Sequence, residues 1–176
     1  KYDVVIWLAA LVGDGACAAN IEITKKINYD SVLNLVKNFN NKIIFMSTCS
    51  VYGHSNSVLK ENSKKNPLSL YAKTKIDSEK ILLQHSKKAC IFRLGTLYGK
   101  GDDSSRIRLD LVVNILTMKA ALGHDLEVYG GNQWRPLLHV RDVAYAIIFA
   151  IEKNIAGIFN ISEKNYKIRD LASQIK

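Results

Sequence analysis

The segment MSTCSVYG at residues 46–53, followed by YAKTK at residues 71–75, decides how this chain is expected to fold. The apolar residues that lead into the first segment form a short continuous run, which is typical of a buried parallel strand. YAKTK opens a helical pattern, so Tyr71 and Lys75 are predicted to lie four residues apart on one helix face. Thr48, at the end of the strand, would then lie close to a tyrosine that has a lysine one turn behind it.

These three side chains have the chemistry of a proton-transfer site. A free tyrosine has a pKa of about 10 and is a poor base at neutral pH, but a lysine ammonium one turn away favours the phenolate. Thr48 would hydrogen-bond the same substrate oxygen while it changes between hydroxyl and carbonyl. The reaction that fits is oxidation of a hydroxyl to a ketone, with hydride passing to an organic cofactor. The structural alternative is that the Tyr-Lys pair lies on the surface and the strand-final Ser-Thr is only a cap.

Strands and helices alternate on either side of this segment. The predicted order is a strand over 3–8, a loop over 11–19, a helix over 20–39, a strand over 42–47, a loop over 54–68, a helix over 69–86 and a strand over 89–94. Such alternation indicates right-handed βαβ units and a parallel sheet. The predicted fold class is therefore α/β.

The second half of the chain has shorter predicted strands and a charged loop. It is predicted to contain a charged loop over 100–106, a helix over 108–121, short strands over 126–129 and 137–140, a helix over 141–153, a strand over 158–161 and a last helix over 167–176. We interpret this half as a smaller cap with elements that return to the sheet.

Small or polar residues follow three of the predicted strands. They are Ala9-Ala10, Ser47-Thr48 and Gly95-Thr96. Ligands of open α/β sheets bind outside the carboxyl ends of the strands, so we expect these residues to border one crevice.

Composition narrows the class of protein. Of the 176 residues, 48% are hydrophobic and 23% are charged, which is typical of a soluble globular domain. The net charge of +9 comes mostly from scattered lysines, without an arginine-rich or aromatic stripe, so an anionic small molecule or a lysine-rich proteome explains it better than nucleic acid. No apolar run approaches the ~20 residues of a membrane span, so we predict no membrane partner.

The cysteines and the start of the chain add two expectations. Cys17, Cys49 and Cys90 lack metal-ligand spacing, so we predict no metal and reduced thiols in a cytoplasmic protein. The sequence enters a strand almost directly after Lys1, without a signal peptide or an initiator methionine. We therefore expect it to begin inside a longer protein.

Several ordered motifs together resemble one family, the extended short-chain dehydrogenases/reductases of the NAD-dependent sugar-nucleotide epimerase/dehydratase group. The motifs are DVVIWLAALVGD, STCSVYG, YAKTK, FRLGTLYG, RPLLHVRDVA and FNIS. The resemblance implies a Rossmann-like doubly wound parallel sheet, with residues 1–100 as a partial NAD-binding domain. Residues 101–176 would form a small α/β substrate cap and returning Rossmann elements.

The resemblance also implies an activity. That activity is NAD-dependent oxidation at carbon 4 of a nucleotide-diphosphate sugar, by a 4-epimerase or a 4-dehydrogenase. The alternatives are a reductase of a nucleotide keto-sugar and a non-catalytic cofactor-binding or scaffold protein. The family's N-terminal βαβ unit, with its glycine turn, is missing, so we do not expect this chain alone to bind NAD tightly, and NADP stays open. We further predict a homodimer.

The resemblance assigns residues to each part of the site. The catalytic residues would be Thr48, Tyr71 and Lys75. The cofactor would be bordered by Leu8, Ala9, Ala10, Leu11, Asn28, Ser47, Tyr71, Lys75 and Gly95. The substrate would be bound by Thr48, Thr96 and Arg135. Arg135 matches the arginine that grips the diphosphate, because a guanidinium offers a fixed fork of donors; the alternative is a surface salt bridge.

Some residues depart from the family pattern. Cys49 and Ser50 stand where the 4,6-dehydratases have an Asp-Glu acid/base pair, so dehydration is disfavoured. Thr96 stands where many members have Asn, and Trp7 replaces the usual His. These changes leave the identity of the sugar open.

Overall fold

The structure, a computed structural model, describes residues 2–104 and 107–176. Lys1, and the part of the predicted charged loop at Ser105 and Arg106, lie outside the described residues. The chain divides into two compact units, one of Lys1–Leu94 with Ala146–Asn160 and one of Gly95–Tyr145 with Ile161–Lys176.

The secondary structure alternates as the sequence predicts. The strands are β1 (Val4–Trp7), β2 (Lys42–Thr48), β3 (Ala89–Leu94), β4 (Thr96–Tyr98), β5 (Trp134–His139), β6 (Gly157–Ile161) and β7 (Lys164–Lys167). The helices are α1 (Asp14–Ala19), α2 (Ile21–Lys25), α3 (Ser31–Asn38), α4 (Leu70–His85), α5 (Val112–Ala121), α6 (Val140–Glu152) and α7 (Ile168–Ile175). A π-helical turn covers Lys26–Asp30 and a 3₁₀ turn covers Cys49–Tyr52.

The first unit is built on a sheet with the strand order β1-β2-β3-β6. β1 and β3 both pair with β2 in parallel, with Trp7 opposite Phe45 and Thr48 opposite Leu94. Every residue of β2 and β3 is buried, which is why both strands read as nearly continuous apolar runs. The predicted α/β class with a parallel central sheet is confirmed.

Helices α3 and α4 cover one face of this sheet. Val32 and Val36, four residues apart on α3, pack with Ile81 and Leu82 of α4 against apolar residues of β2 and β3 such as Phe45. Spacing by four residues puts side chains on one helix face, so burial of these positions fixes how each helix meets the sheet.

The segment between β1 and β2 differs from its prediction. Residues 14–19 form a helix where a loop was predicted, and the predicted single helix over 20–39 is interrupted by the π-helical turn. A π turn adds a residue, so the residues before it are rotated relative to those after it. Ile23 and Ile27, which an uninterrupted helix over 20–39 would place on one face with Val32 and Val36, are 47% and 37% exposed.

Three apolar residues that helical spacing would place on buried faces are exposed instead. Leu83 is 49% exposed on α4, and Ile148 and Ile151 are 50% and 37% exposed on α6. In α6 the buried residues are Val143 and Ala150, which lie two turns apart on one face. Ile148 and Ile151 lie off that face.

The second unit contains a sheet with the order β4-β5-β7, in which β4 is parallel and β7 antiparallel to β5. The sequence did not predict β4 or β7, which have only 3 and 4 residues. The predicted strand over 126–129 does not form. Gly130 and Gly131 follow it with φ of 77° and 70°, so the chain turns away from an extended course there.

Gly53 adopts a backbone conformation and a close backbone contact that only glycine tolerates. Its φ is +71° and its ψ is −148°, and a Cβ added there would lie 2.1 Å from the backbone oxygen of Asn66. Gly53→Ala should therefore lower the free energy of unfolding by about 3 kcal/mol, measured by urea denaturation. The matched control is Gly123→Ala, because Gly123 has the same φ but nothing within 4 Å of the added Cβ, and its cost should be about 1 kcal/mol. Equal losses in the two variants would contradict the steric explanation.

Candidate active site

Helix α4 presents Tyr71 in its first turn. Ser69 caps the helix, since its Oγ accepts a hydrogen bond from the backbone N–H of Ala72 at 3.2 Å. Tyr71 is the second residue after that cap and is half-buried. The unpaired N–H groups of a helix N-terminus carry partial positive charge, so this position favours a negatively charged phenolate.

Lys75 lies one turn further along α4 and is only 3% exposed. Its ammonium donates to the carbonyl oxygen of Met46 at 2.7 Å, and Nζ lies 4.6 Å from the centroid of the Phe45 ring and 5.8 Å from that of Tyr71. Burial lowers the pKa of Lys75 to about 8, while the negative charge of Glu79, and that of Cys17 once its thiol is deprotonated, acts in the opposite direction. The cation is therefore held between strand β2 and the tyrosine.

Thr48 is the last residue of β2 and is 8% exposed. Its Oγ1 accepts from the backbone N–H of Ser50 at 3.1 Å and so caps the 3₁₀ turn. Thr48 thus acts as a cap, which was the structural alternative to a catalytic role. Because Oγ1 is the acceptor in this bond with Ser50, the hydroxyl proton of Thr48 can still be donated to a substrate oxygen.

Ser47 points to the other side of the strand, as neighbouring strand residues do. Its Oγ donates to Oε1 of Glu79 at 2.5 Å, and the residue is 3% exposed. The hydroxyl of Ser47 is therefore engaged inside the first unit.

Asn28 holds the loop that follows β1. It is 2% exposed and lies within the π-helical turn. Its Oδ1 accepts from the N–H of Leu11 at 2.8 Å, and its Nδ2 donates to the carbonyl of Leu11 at 3.0 Å and to Oγ1 of Thr74 at 3.3 Å. This side chain fixes the end of the loop beside α4, and π turns often occur at functional sites.

The first unit brings most of the predicted site residues together. Because the carboxyl ends of parallel strands share one edge of a sheet, Leu8 and Thr48 lie at the same edge. Leu8 is 67% exposed there, and Ala9 is also exposed, whereas Ala10 and Leu11 are half-buried. Lys75 contacts the same end of β2.

The remaining predicted residues belong to the second unit. Gly95 donates its N–H to the carbonyl of Ile161 at 2.9 Å, and a Cβ there would lie 2.9 Å from the backbone oxygen of Pro136, so glycine is required. Thr96 is half-buried and pairs with Leu137. Arg135 is exposed on β5, and among residues 2–104 and 107–176 no carboxylate forms an ion pair with it. The predicted alternative of a surface salt bridge at Arg135 is absent from that part of the chain.

Sequence reasoning missed a buried ion pair behind the site. Arg93 donates from Nε to Oε1 of Glu79 at 3.0 Å and from Nη2 to Oε2 at 2.6 Å, and both side chains are buried. A single arginine inside the apolar run ACIFRL was the available signal, because a buried guanidinium needs a partner.

No helix in the described residues is long and apolar enough to cross a membrane. Among the same residues, no group of three or more His, Cys, Asp or Glu side chains is arranged to hold a metal ion.

The known proteins that are similar to this chain include the following three. Methionine adenosyltransferase 2 subunit beta of Xenopus laevis is 30% identical over 113 residues, which cover 64% of this chain and 33% of that protein. The dTDP-4-dehydrorhamnose reductase of Salmonella typhimurium is 28% identical over 165 residues, covering 90% of this chain and 54% of that protein. The structure of UDP-glucuronic acid 4-epimerase from Bacillus cereus, in complex with UDP-glucuronic acid and NAD, superposes with a TM-score of 0.84 at 27% identity, covering 98% of this chain and 58% of that chain.

The chain thus spans between a third and somewhat over half the length of these relatives. The family model described as "NAD dependent epimerase/dehydratase family" matches residues 1–162. That match includes all of the sequence motifs from which the resemblance was inferred, and it confirms the resemblance. The chain belongs to the NAD dependent epimerase/dehydratase family.

Proposed function

We propose that the protein containing this chain transfers a hydride at carbon 4 of a nucleotide-diphosphate sugar, with NAD as cofactor, and that its activity is that of a 4-epimerase. The observation that carries this proposal is the fixed position of the Lys75 ammonium, between the carbonyl of Met46 and the ring of Tyr71. A buried cation beside a tyrosine at a helix N-terminus favours the phenolate, which is the base that a sugar hydroxyl requires.

Each of the three residues has one role in this reaction. The phenolate of Tyr71 takes the proton from the 4-hydroxyl as that oxygen becomes a carbonyl. Thr48 donates its hydroxyl proton in a hydrogen bond to the same oxygen, and Lys75 keeps the phenolate stable by its charge. In an epimerase the keto-sugar turns over, hydride returns to the other face of carbon 4, and Tyr71 gives the proton back.

NAD, when bound, supplies the acceptor and donor of that hydride. The residues at the carboxyl edge of the first sheet fit such a cofactor, because Leu8 and Ala9 expose apolar surface there against which a flat ring can pack. From the family membership we propose that Leu8–Leu11, Asn28 and Gly95 border the cofactor, and that Ser47, whose hydroxyl binds Glu79, borders it through its backbone. NADP is not excluded by these residues.

The diphosphate of the substrate is assigned to Arg135. Its guanidinium is exposed and forms no ion pair with the described residues, so its fork of donors is open to phosphate oxygens. Thr96 is the second substrate residue of this unit. The net charge of +9 favours approach of an anionic substrate. The homodimer and the cytoplasmic location stay predictions from the sequence.

A reductase is the second candidate, because the similar dTDP-4-dehydrorhamnose reductase matches 90% of this chain. The same three residues would then act in the reverse direction, with Tyr71 as the acid. A third candidate is a subunit of a larger enzyme, which the similarity to methionine adenosyltransferase 2 subunit beta supports. The presence of Thr48, Tyr71 and Lys75 together favours an enzyme, since a binding subunit does not require all three.

Replacement of the base tests the proposed chemistry. Tyr71→Phe in the full-length protein should lower kcat by about 10²- to 10⁴-fold, because the general base is lost. The measurement is turnover of a nucleotide sugar at saturating cofactor. Tyr129→Phe, at a tyrosine that is 84% exposed, is the matched control and should keep full activity. Unchanged turnover in folded Tyr71→Phe would refute the assignment of Tyr71.

Cofactor balance separates the candidate functions. With UDP-glucuronic acid, other UDP-sugars and dTDP-4-dehydro sugars as a panel, an epimerase converts one sugar to another without net change in NADH absorbance. A reductase consumes NADH or NADPH in stoichiometric amount, and a 4-dehydrogenase accumulates NADH. If no sugar in the panel is converted and the protein instead co-purifies with a methionine adenosyltransferase catalytic chain, the enzyme proposal is wrong and the subunit function takes its place.

A further inference from the structure

A buried carboxylate lies directly behind the proton-transfer residues. Glu79 follows Lys75 by one turn of α4 and is 3% exposed. Arg93 of β3 binds it through two parallel N–H···O bonds, of 3.0 and 2.6 Å. This side-on pairing with a guanidinium favours the ionised carboxylate and fixes its orientation.

The same carboxylate and its partner hold the strand end and the turn after it. Ser47, the neighbour of Thr48 on β2, donates to Oε1 of Glu79 at 2.5 Å. Arg93 donates from Nη1 to the hydroxyl of Tyr52 at 2.8 Å, at the end of the 3₁₀ turn that Thr48 caps. Glu79 is thereby linked to side chains on both sides of Thr48, directly to Ser47 and through Arg93 to Tyr52.

Among the described residues, the charged and titratable groups that act on Lys75 come from two elements. On its own helix these are Tyr71 and Glu79, and on α1 it is Cys17. Strand β2 contributes only the Phe45 ring and the Met46 carbonyl. Cys17 is fully buried, and burial raises the pKa of its thiol, so it is uncharged at neutral pH. Among the described residues, Glu79 is therefore the anion that offsets the burial of the Lys75 ammonium, with its charge partly neutralised by Arg93.

We propose that Glu79 is a positioning residue of the proton-transfer site: its carboxylate, oriented by Arg93 and Ser47, keeps the Lys75 ammonium charged and thereby keeps Tyr71 in use as a base. The catalytic meaning of this role rests on the proposed function. The effect of Glu79 on the protonation of Lys75 does not, so the two are tested separately.

The test is an NMR titration of the full-length protein labelled with ¹³C at the lysine ε carbon, in which the Lys75 signal is the one lost in Lys75→Arg. In the unchanged protein the midpoint should lie at about 8. Glu79→Gln removes a negative charge that favours the protonated amine, so the midpoint should move downward by about one pH unit. Asp77→Asn, which removes the same charge from an exposed position of the same helix, should leave it unchanged.

A second variant keeps the test valid if Glu79→Gln does not fold. Glu79→Gln combined with Arg93→Met removes both buried charges, which avoids an unpaired guanidinium. The midpoint should again move downward, but by less than in Glu79→Gln, because the loss of the Arg93 cation offsets part of the loss of the anion. A folded variant of either kind with an unshifted midpoint would overturn the proposal. Where the protein turns over a nucleotide sugar, the midpoint of the alkaline limb of its pH–rate profile should move to lower pH by the same amount as the Lys75 midpoint. A shifted titration without any turnover would count against the proposed function and leave the role of Glu79 intact.

Discussion

The buried pair of Arg93 and Glu79 connects the elements that carry the candidate active site. Glu79 is on α4, Arg93 is on β3, and their side chains reach Ser47 on β2 and Tyr52 in the following turn. Breaking such a pair by removing one partner costs about 3–5 kcal/mol, because the other charge stays buried without compensation. The pair therefore favours the observed packing of the helix against the strand end, and that packing sets where Tyr71 and Lys75 lie.

The side-chain period of strand β2 and that of helix α4 together position the residues of the candidate site. Along β2, neighbouring side chains alternate, so Ser47 turns inward to Glu79 while Thr48 stays at the edge of the sheet. Along α4, residues four apart share a face, so Tyr71, Lys75 and Glu79 form one line from the helix N-terminus into the core. The outer residue is half-buried and the inner two are buried, which places the chemistry at the surface and its electrostatic support inside.

The sequence predicts this central region well because its signals are local. β2, β3 and α4 lie within one or two residues of their predicted ranges, since continuous apolar runs and the capping Ser69 mark their ends. The π-helical turn around Asn28 has no such signal, because one added residue leaves composition and spacing nearly unchanged. The short strands β4 and β7 form through pairing with β5, which is remote in the sequence, so local pattern could not predict them.

The ion pair was also beyond local reasoning, although Arg93 inside an apolar strand showed that a partner had to exist. Which carboxylate pairs with it depends on how α4 packs. The exposure of Arg135 and the groups around Gly95 likewise depend on the second sheet. Their roles in binding are inferred from chemistry and family membership.

Hydride transfer at carbon 4 of the sugar can be followed directly with an isotope label. The measurement is a single turnover of UDP-glucuronic acid deuterated at carbon 4, or of the sugar identified as substrate, with the full-length protein and NAD, followed by mass analysis of sugar and cofactor. We predict that deuterium leaves carbon 4 and appears on the cofactor, or returns to carbon 4 of the epimer after passing through the cofactor. Conversion of the sugar with deuterium never leaving carbon 4, or with hydrogen lost from a different carbon, would contradict it.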